Sequence, residues 1–119
     1  MLGGRILVVE DDPAIATVVE ETLRAQSYEV VATGAADALR LVRELHPDVI
    51  VLDYTMPGVD GAEIGRRLHA DRPTVAIPII AISAGDPEAR PRLPKDEELR
   101  AMATAVAIAI ASQGAKRAQ

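Results

Sequence analysis

Four short apolar runs, separated by stretches with helical spacing, constrain this chain more than any other feature. Ile6-Leu7-Val8-Val9 runs into Glu10-Asp11-Asp12, and Glu29 to Thr33 stops at Gly34. Asp48 to Asp53 carries Val49-Ile50-Val51-Leu52, and Ile77 to Ser83 carries Ile79-Ile80-Ala81-Ile82. Runs of this kind, apolar without alternation, suit strands covered on both faces, as in a parallel sheet. Between them, Ile15, Val18, Val19, Thr22 and Leu23 follow Pro13 at helical spacing, with Asp12 placed to cap that helix. Ala36 to Leu45 reads as a second helix with Leu39 and Val42 inward, ended by His46-Pro47. Asp60-Gly61-Ala62-Glu63 has a capping-box layout ahead of a third helix carrying Ile64 and Leu68. Pro78 sits near the start of the fourth run, where a lost donor is tolerable. The alternation predicts an α/β domain: a parallel sheet with right-handed crossovers and helices on both faces.

The alternation stops after Ser83. Pro87, Pro91 and Pro94 are too closely spaced for a normal helix, and eleven residues between Ser83 and Lys95 cannot hold a helical crossover and another strand. A last helix is expected from Asp96 to Ser112, begun by Asp96, Glu97 and Glu98 at the positive end of its dipole. Leu99, Met102, Val106 and Ile110 form one stripe, with Ile108 opposite. Met102 to Ile110 also alternates like a strand, but alanine content and length favour helix. Such a helix, apolar nearly all round, calls for cover on more than one side. The fourth run would be an isoleucine-rich sheet edge, and such edges are normally paired. These two surfaces predict a homodimer through the fourth strand and the last helix, with exchange of that helix as one route.

A chain of 119 residues fits one domain. It is 49% apolar but 2% aromatic, so its core is aliphatic and base-stacking platforms are lacking. A net charge of −5 disfavours a phosphate-backbone partner, and nucleic acid is not expected among its partners. With no cysteine there is neither a disulfide nor a thiolate metal site. The N-terminus lacks a signal-peptide layout, and the apolar run Ala101–Ala111, 11 residues long, is too short to span a bilayer. A cytoplasmic protein without a membrane partner is expected.

In a parallel sheet the ends of the first and third runs are neighbours, which brings Glu10 and Asp11 toward Asp53. Three carboxylates this close repel, and a hard divalent cation, Mg²⁺ or Mn²⁺, relieves the repulsion. Ser83 leaves the fourth run beside Asp53. A carboxylate nucleophile, a cation and a hydroxyl are parts for phosphoryl transfer to Asp53. The plainer alternative has Glu10, Asp11 and Asp12 merely capping the first helix. His46 and His69 lack metal-ligand spacing and read as surface residues, Tyr54 as a rim residue, and Met56-Pro57-Gly58 as a turn.

Three segments together resemble the response-regulator receiver domain of two-component signalling. They are Ile6 to Pro13, Val51 to Gly61 (Val-Leu-Asp-Tyr-Thr-Met-Pro-Gly-Val-Asp-Gly) and Pro78 to Ala84. The resemblance implies a flavodoxin-like doubly wound sheet of order 2-1-3-4, with residues 1–84 matching well and 85–119 divergent within a single domain, 1–119. It implies that Asp53 accepts a phosphoryl group from a sensor histidine kinase or phosphotransfer protein. It also implies Mg²⁺ held by Asp11, Asp53 and the backbone carbonyl of Thr55, with Glu10 helping through water. Ser83 matches the hydroxyl that moves toward the phosphoryl group. The family's fourth helix, fifth strand with its aromatic switch residue, and Lys-Pro pair have no counterpart. Leu93-Pro94-Lys95 resembles that last junction with its order inverted, so Lys95 is the one candidate for the phosphate lysine, against a solvated residue at a helix start. The expected function is a phosphoacceptor module, no enzyme beyond slow self-dephosphorylation. The alternative is a degenerate receiver serving protein interaction or dimerisation. A dehalogenase-like phosphatase would need a second Asp where Thr55 stands.

Overall fold

The computed structural model describes residues 4–54, 61–72, 74, 76–82 and 92–118, with side chains up to residue 113. Its elements follow the order of the sequence pattern: β1 (Arg5–Val9), α1 (Pro13–Arg24), β2 (Glu29–Thr33), a 3₁₀ turn (Ala35–Asp37), α2 (Ala38–Leu45), β3 (Val49–Asp53), α3 (Gly61–Ala70), β4 (Ile79–Ile82) and α4 (Asp96–Ala118). The four strands form one parallel sheet of order β2-β1-β3-β4, as expected.

Side-chain alternation along β1 and β3 divides the core in two. Ile6, Val8, Val49 and Val51 face α1 and α4, where they meet Ile15, Val19, Leu23, Met102 and Val106. Leu7, Val9, Ile50 and Leu52 face the other way, toward Ala38, Val42 and Leu68 of α2 and α3. Both faces of the two central strands are therefore dry, which explains why their sequences show no polar alternation. Each such aliphatic side chain contributes about 1.5–3 kcal/mol by burial.

The helix boundaries follow local chemistry. Asp12 caps α1, accepting from the N–H groups of Ala14 (2.9 Å) and Ile15 (3.4 Å), and Pro13 takes the first helical position. His46 closes α2 in the left-handed region, φ 49°, ahead of Pro47. Thr74, buried, closes α3 by donating its hydroxyl to the Leu68 carbonyl. The Asp60 half of the expected capping box lies outside the described residues; Glu63 pairs with Arg66 and Arg67.

Among the described residues β4 pairs only with β3 and is half-exposed along its length, an edge strand as predicted. Helix α4 runs six residues beyond the expected Ser112. Among the described residues it packs by one side: Met102 and Val106 are buried, while Ile108 on the opposite side is 63% exposed. The second covering surface expected for this helix is not supplied by the chain's own described residues.

Candidate functional site

The register of β1 against β3 pairs Val9 with Leu52, so the next step beyond the ladder sets Glu10 opposite Asp53. Same-face neighbours on adjacent strands lie about 5 Å apart. Both carboxyls are buried, Glu10 at 5% exposure and Asp53 at 2%. One oxygen of Glu10, Oε2, accepts from the Asp12 N–H at 3.1 Å. The other, Oε1, is buried with no hydrogen-bond donor among the described residues. Burial first, and then contact with the Asp53 carboxyl, pushes the Glu10 pKa up to about 8, although the Asp12 amide works in the opposite direction. Two carboxylates cannot satisfy each other without a shared proton or a cation. An oxygen buried without a donor, beside a second carboxyl at the end of a parallel strand, fits a hard divalent cation.

Asp11 does not join them. Its carboxylate is exposed, and Oδ1 accepts from the Ala35 N–H at 2.8 Å, on the β2 side. Among the described residues no three His, Asp or Glu side chains cluster closely enough to hold a metal ion. The expected convergence of three carboxylates is thus corrected to two. The reason is steric and local: Glu10 and Asp11 are consecutive, and the extended chain sends them apart. Asp12 is occupied as the α1 cap.

Thr55 and Ser83, the expected carbonyl ligand and phosphoryl hydroxyl, lie outside the described residues. Lys95 is exposed at the head of α4, where it is the N-cap: its carbonyl accepts from Leu99 N–H (3.0 Å) and its own N–H donates to Glu98 Oε1 (3.0 Å). That is half of a capping box. The structure gives Lys95 the helix-start role. His46 and His69 are exposed, as read from the sequence.

Two glycines that the sequence presented only as turn or helix residues shape the site. A Cβ at Gly61 would stand 2.7 Å from the Asp53 carbonyl oxygen and 2.8 Å from Tyr54 Cα, so α3 can start against the end of β3 only with glycine there. A Cβ at Gly34 would stand 2.6 Å from Asp11 Oδ1. The signals were the place of Gly34 directly after β2 and of Gly61 at the start of α3, which do not by themselves say what approaches them.

Comparison with known proteins bears on this geometry. The family model described as the response regulator receiver domain matches residues 6–93. The transcriptional regulatory protein AfsQ1 of Streptomyces coelicolor is 45% identical over 80 residues, covering 66% of this chain and 34% of that protein. The DNA-binding response regulator MtrA of Mycolicibacterium smegmatis is 40% identical over 81 residues, covering 67% of this chain and 34% of that protein. The match thus spans about a third of these relatives' length. The receiver domain of a sensor histidine kinase from Pseudomonas aeruginosa PAO1, solved with a magnesium ion coordinated in its active-site cleft, superposes with a TM-score of 0.64. It is 34% identical, over 70% of this chain and 69% of that one.

These relatives correct one expectation. Nucleic acid was excluded as a partner, yet MtrA is named a DNA-binding response regulator. Net charge and the shortage of aromatics describe these 119 residues. They carry no information on what the other two-thirds of such proteins bind. Among the described residues no helix is long and apolar enough to cross a membrane.

Proposed function

The chain belongs to the response regulator receiver domain family, and on that premise we propose that Asp53 is its phosphoacceptor. The observation that carries the reading is the pairing of Asp53 with Glu10, whose buried Oε1 has no donor among the described residues. In this reading an Asp53 oxygen attacks the phosphorus of a phosphohistidine on a sensor histidine kinase or phosphotransfer protein. The new O–P bond forms as the P–N bond breaks, and the histidine nitrogen takes up a proton. Glu10 and Asp53, with Asp11 and the Thr55 carbonyl, would hold Mg²⁺ or Mn²⁺, which neutralises charge on the transferring phosphoryl oxygens. The Ser83 hydroxyl would then meet the phosphoryl group. Lys95 is left out of this reading, which is supported by its exposure and by the engagement of its backbone in the α4 cap.

The aspartyl phosphate would be lost slowly to water, making the domain a signalling module and not an enzyme. By likeness to relatives named as transcriptional and DNA-binding regulators, the output reaches DNA through residues outside the matched stretch. A second reading, a degenerate receiver that works by interaction alone, draws support from the Asp11 carboxylate being engaged by Ala35 and not by the site.

Incubation with acetyl phosphate and Mg²⁺ decides between them. The phosphoacceptor reading expects wild type to gain the mass of one phosphoryl group and Asp53→Asn to gain none. Identical behaviour of the two proteins overturns it.

A further inference from the structure

Asp11 does a job that normally falls to a residue next to the helix. The hydrogen bond from Glu10 N–H to the Thr33 carbonyl (2.9 Å) continues the β1–β2 ladder one step past the Val9–Thr33 pair. That step carries Asp11 alongside Gly34 and Ala35. Ala35 opens the 3₁₀ turn that leads into α2, and helix starts leave N–H groups without partners. The residue in the capping position is Gly34, which has no side chain to offer and makes no capping bond. Asp11 Oδ1 supplies the acceptor from the neighbouring strand's end, 2.8 Å from Ala35 N. Glycine at 34 is what admits it, since a Cβ would stand 2.6 Å from that oxygen.

We propose that Asp11 is a two-position carboxylate, so that divalent-cation binding beside Glu10 and Asp53 draws it off Ala35 and uncaps the turn after β2. The inference rests on the acidic-site reading above. Asp11 is exposed, so its carboxylate swings through solvent and displaces nothing in the core. It is one peptide bond from Glu10, within easy reach of an ion held there. The attraction of a carboxylate for a dication at contact distance exceeds the net worth of one exposed hydrogen bond. Occupancy of the site is thereby felt at the start of α2, on the β2 side of the sheet and away from β4 and α4.

Titration of the ¹⁵N-labelled chain with MgCl₂ tests this directly, reading amide shifts and hydrogen exchange. The Ala35 amide is expected to shift with the same apparent Kd as the amides of Glu10 and Asp53, and to exchange roughly tenfold faster at saturation, for the loss of one charge-assisted hydrogen bond. Gly34→Ala is expected to show the shifted Ala35 amide without Mg²⁺, and to bind Mg²⁺ roughly threefold to tenfold more tightly because no bond need be broken. An Ala35 amide that stays still while Glu10 and Asp53 respond overturns the proposal and leaves the acidic site standing. No response at any of the three overturns the acidic site and the proposal with it. The wild-type titration is decisive even if Gly34→Ala does not fold.

Discussion

Glu10 and Asp53 face each other one register step past the last paired residues of β1 and β3, Val9 and Leu52, with both carboxyls buried. Two like charges in that position oppose folding, which a proton kept on Glu10 relieves and a bound cation would relieve as well.

The first prediction concerns pH. In the metal-free fold Glu10 holds its proton up to about pH 8, whereas the unfolded chain releases it near 4.5. Between those values the unfolded state binds fewer protons at this site, so the contribution of Glu10 to stability falls as pH rises from about 4.5 to about 8 and is constant on either side. Glu10→Gln removes the titrating group and flattens this slope, with a gain over wild type at pH 8 on the order of 3 kcal/mol. Urea denaturation at several pH values, in chelator, measures it. Equal slopes for the two proteins would show that Glu10 is ionised throughout.

A second prediction separates two glycines of α3. Gly61→Ala drives a Cβ against main-chain atoms of Asp53 and Tyr54, which cannot rotate away. Its expected cost is about 2 kcal/mol, together with weaker Mg²⁺ binding as the Asp53 backbone shifts. Gly65→Ala meets the Tyr54 hydroxyl at 3.0 Å, the far end of a side chain that can move. It should cost less than about 1 kcal/mol. Matched denaturation curves decide; a larger loss for Gly65→Ala would contradict the packing described.

The third prediction tests how α4 is held. Met102 is 4% exposed in the core shared with α1 and the sheet, while Ile108 is 63% exposed on the opposite side. Met102→Ala should cost about 3 kcal/mol through the cavity it leaves. Ile108→Ala should fall within about 0.5 kcal/mol of wild type in dilute protein. A large loss from Ile108→Ala under those conditions would mean that its side of the helix is covered in solution.

The sheet was legible in the sequence because its central strands lie dry on both faces. Val49 to Leu52 and Ile6 to Val9 could be unbroken apolar runs only in that setting, and the alternation with helices made the sheet parallel, while its order 2-1-3-4 came from the resemblance to receiver domains. The α1 start was legible for a different reason: Asp12 and Pro13 act on the backbone within three residues of themselves. The α2 stop at His46-Pro47 is likewise local.

The resting position of Asp11, on the Ala35 amide, was not legible for a physical reason. Consecutive residues leaving a strand point apart, and which of Glu10 and Asp11 meets Asp53 depends on the β1–β3 register, which composition and spacing do not encode. Of the two readings of Lys95, phosphate lysine or helix start, the structure shows its backbone in the second, with its N–H donating to Glu98 three residues on.

By itself, then, the sequence determined the elements, their parallel arrangement and the placing of carboxylates at strand ends, since burial on two faces and short-range capping leave direct marks on residue type. The tertiary structure decided which carboxylates meet, that Gly34 and Gly61 are demanded by approaching groups, and which side of α4 is covered. Those depend on atoms brought together from distant positions in the chain, for which no single residue carries the signal.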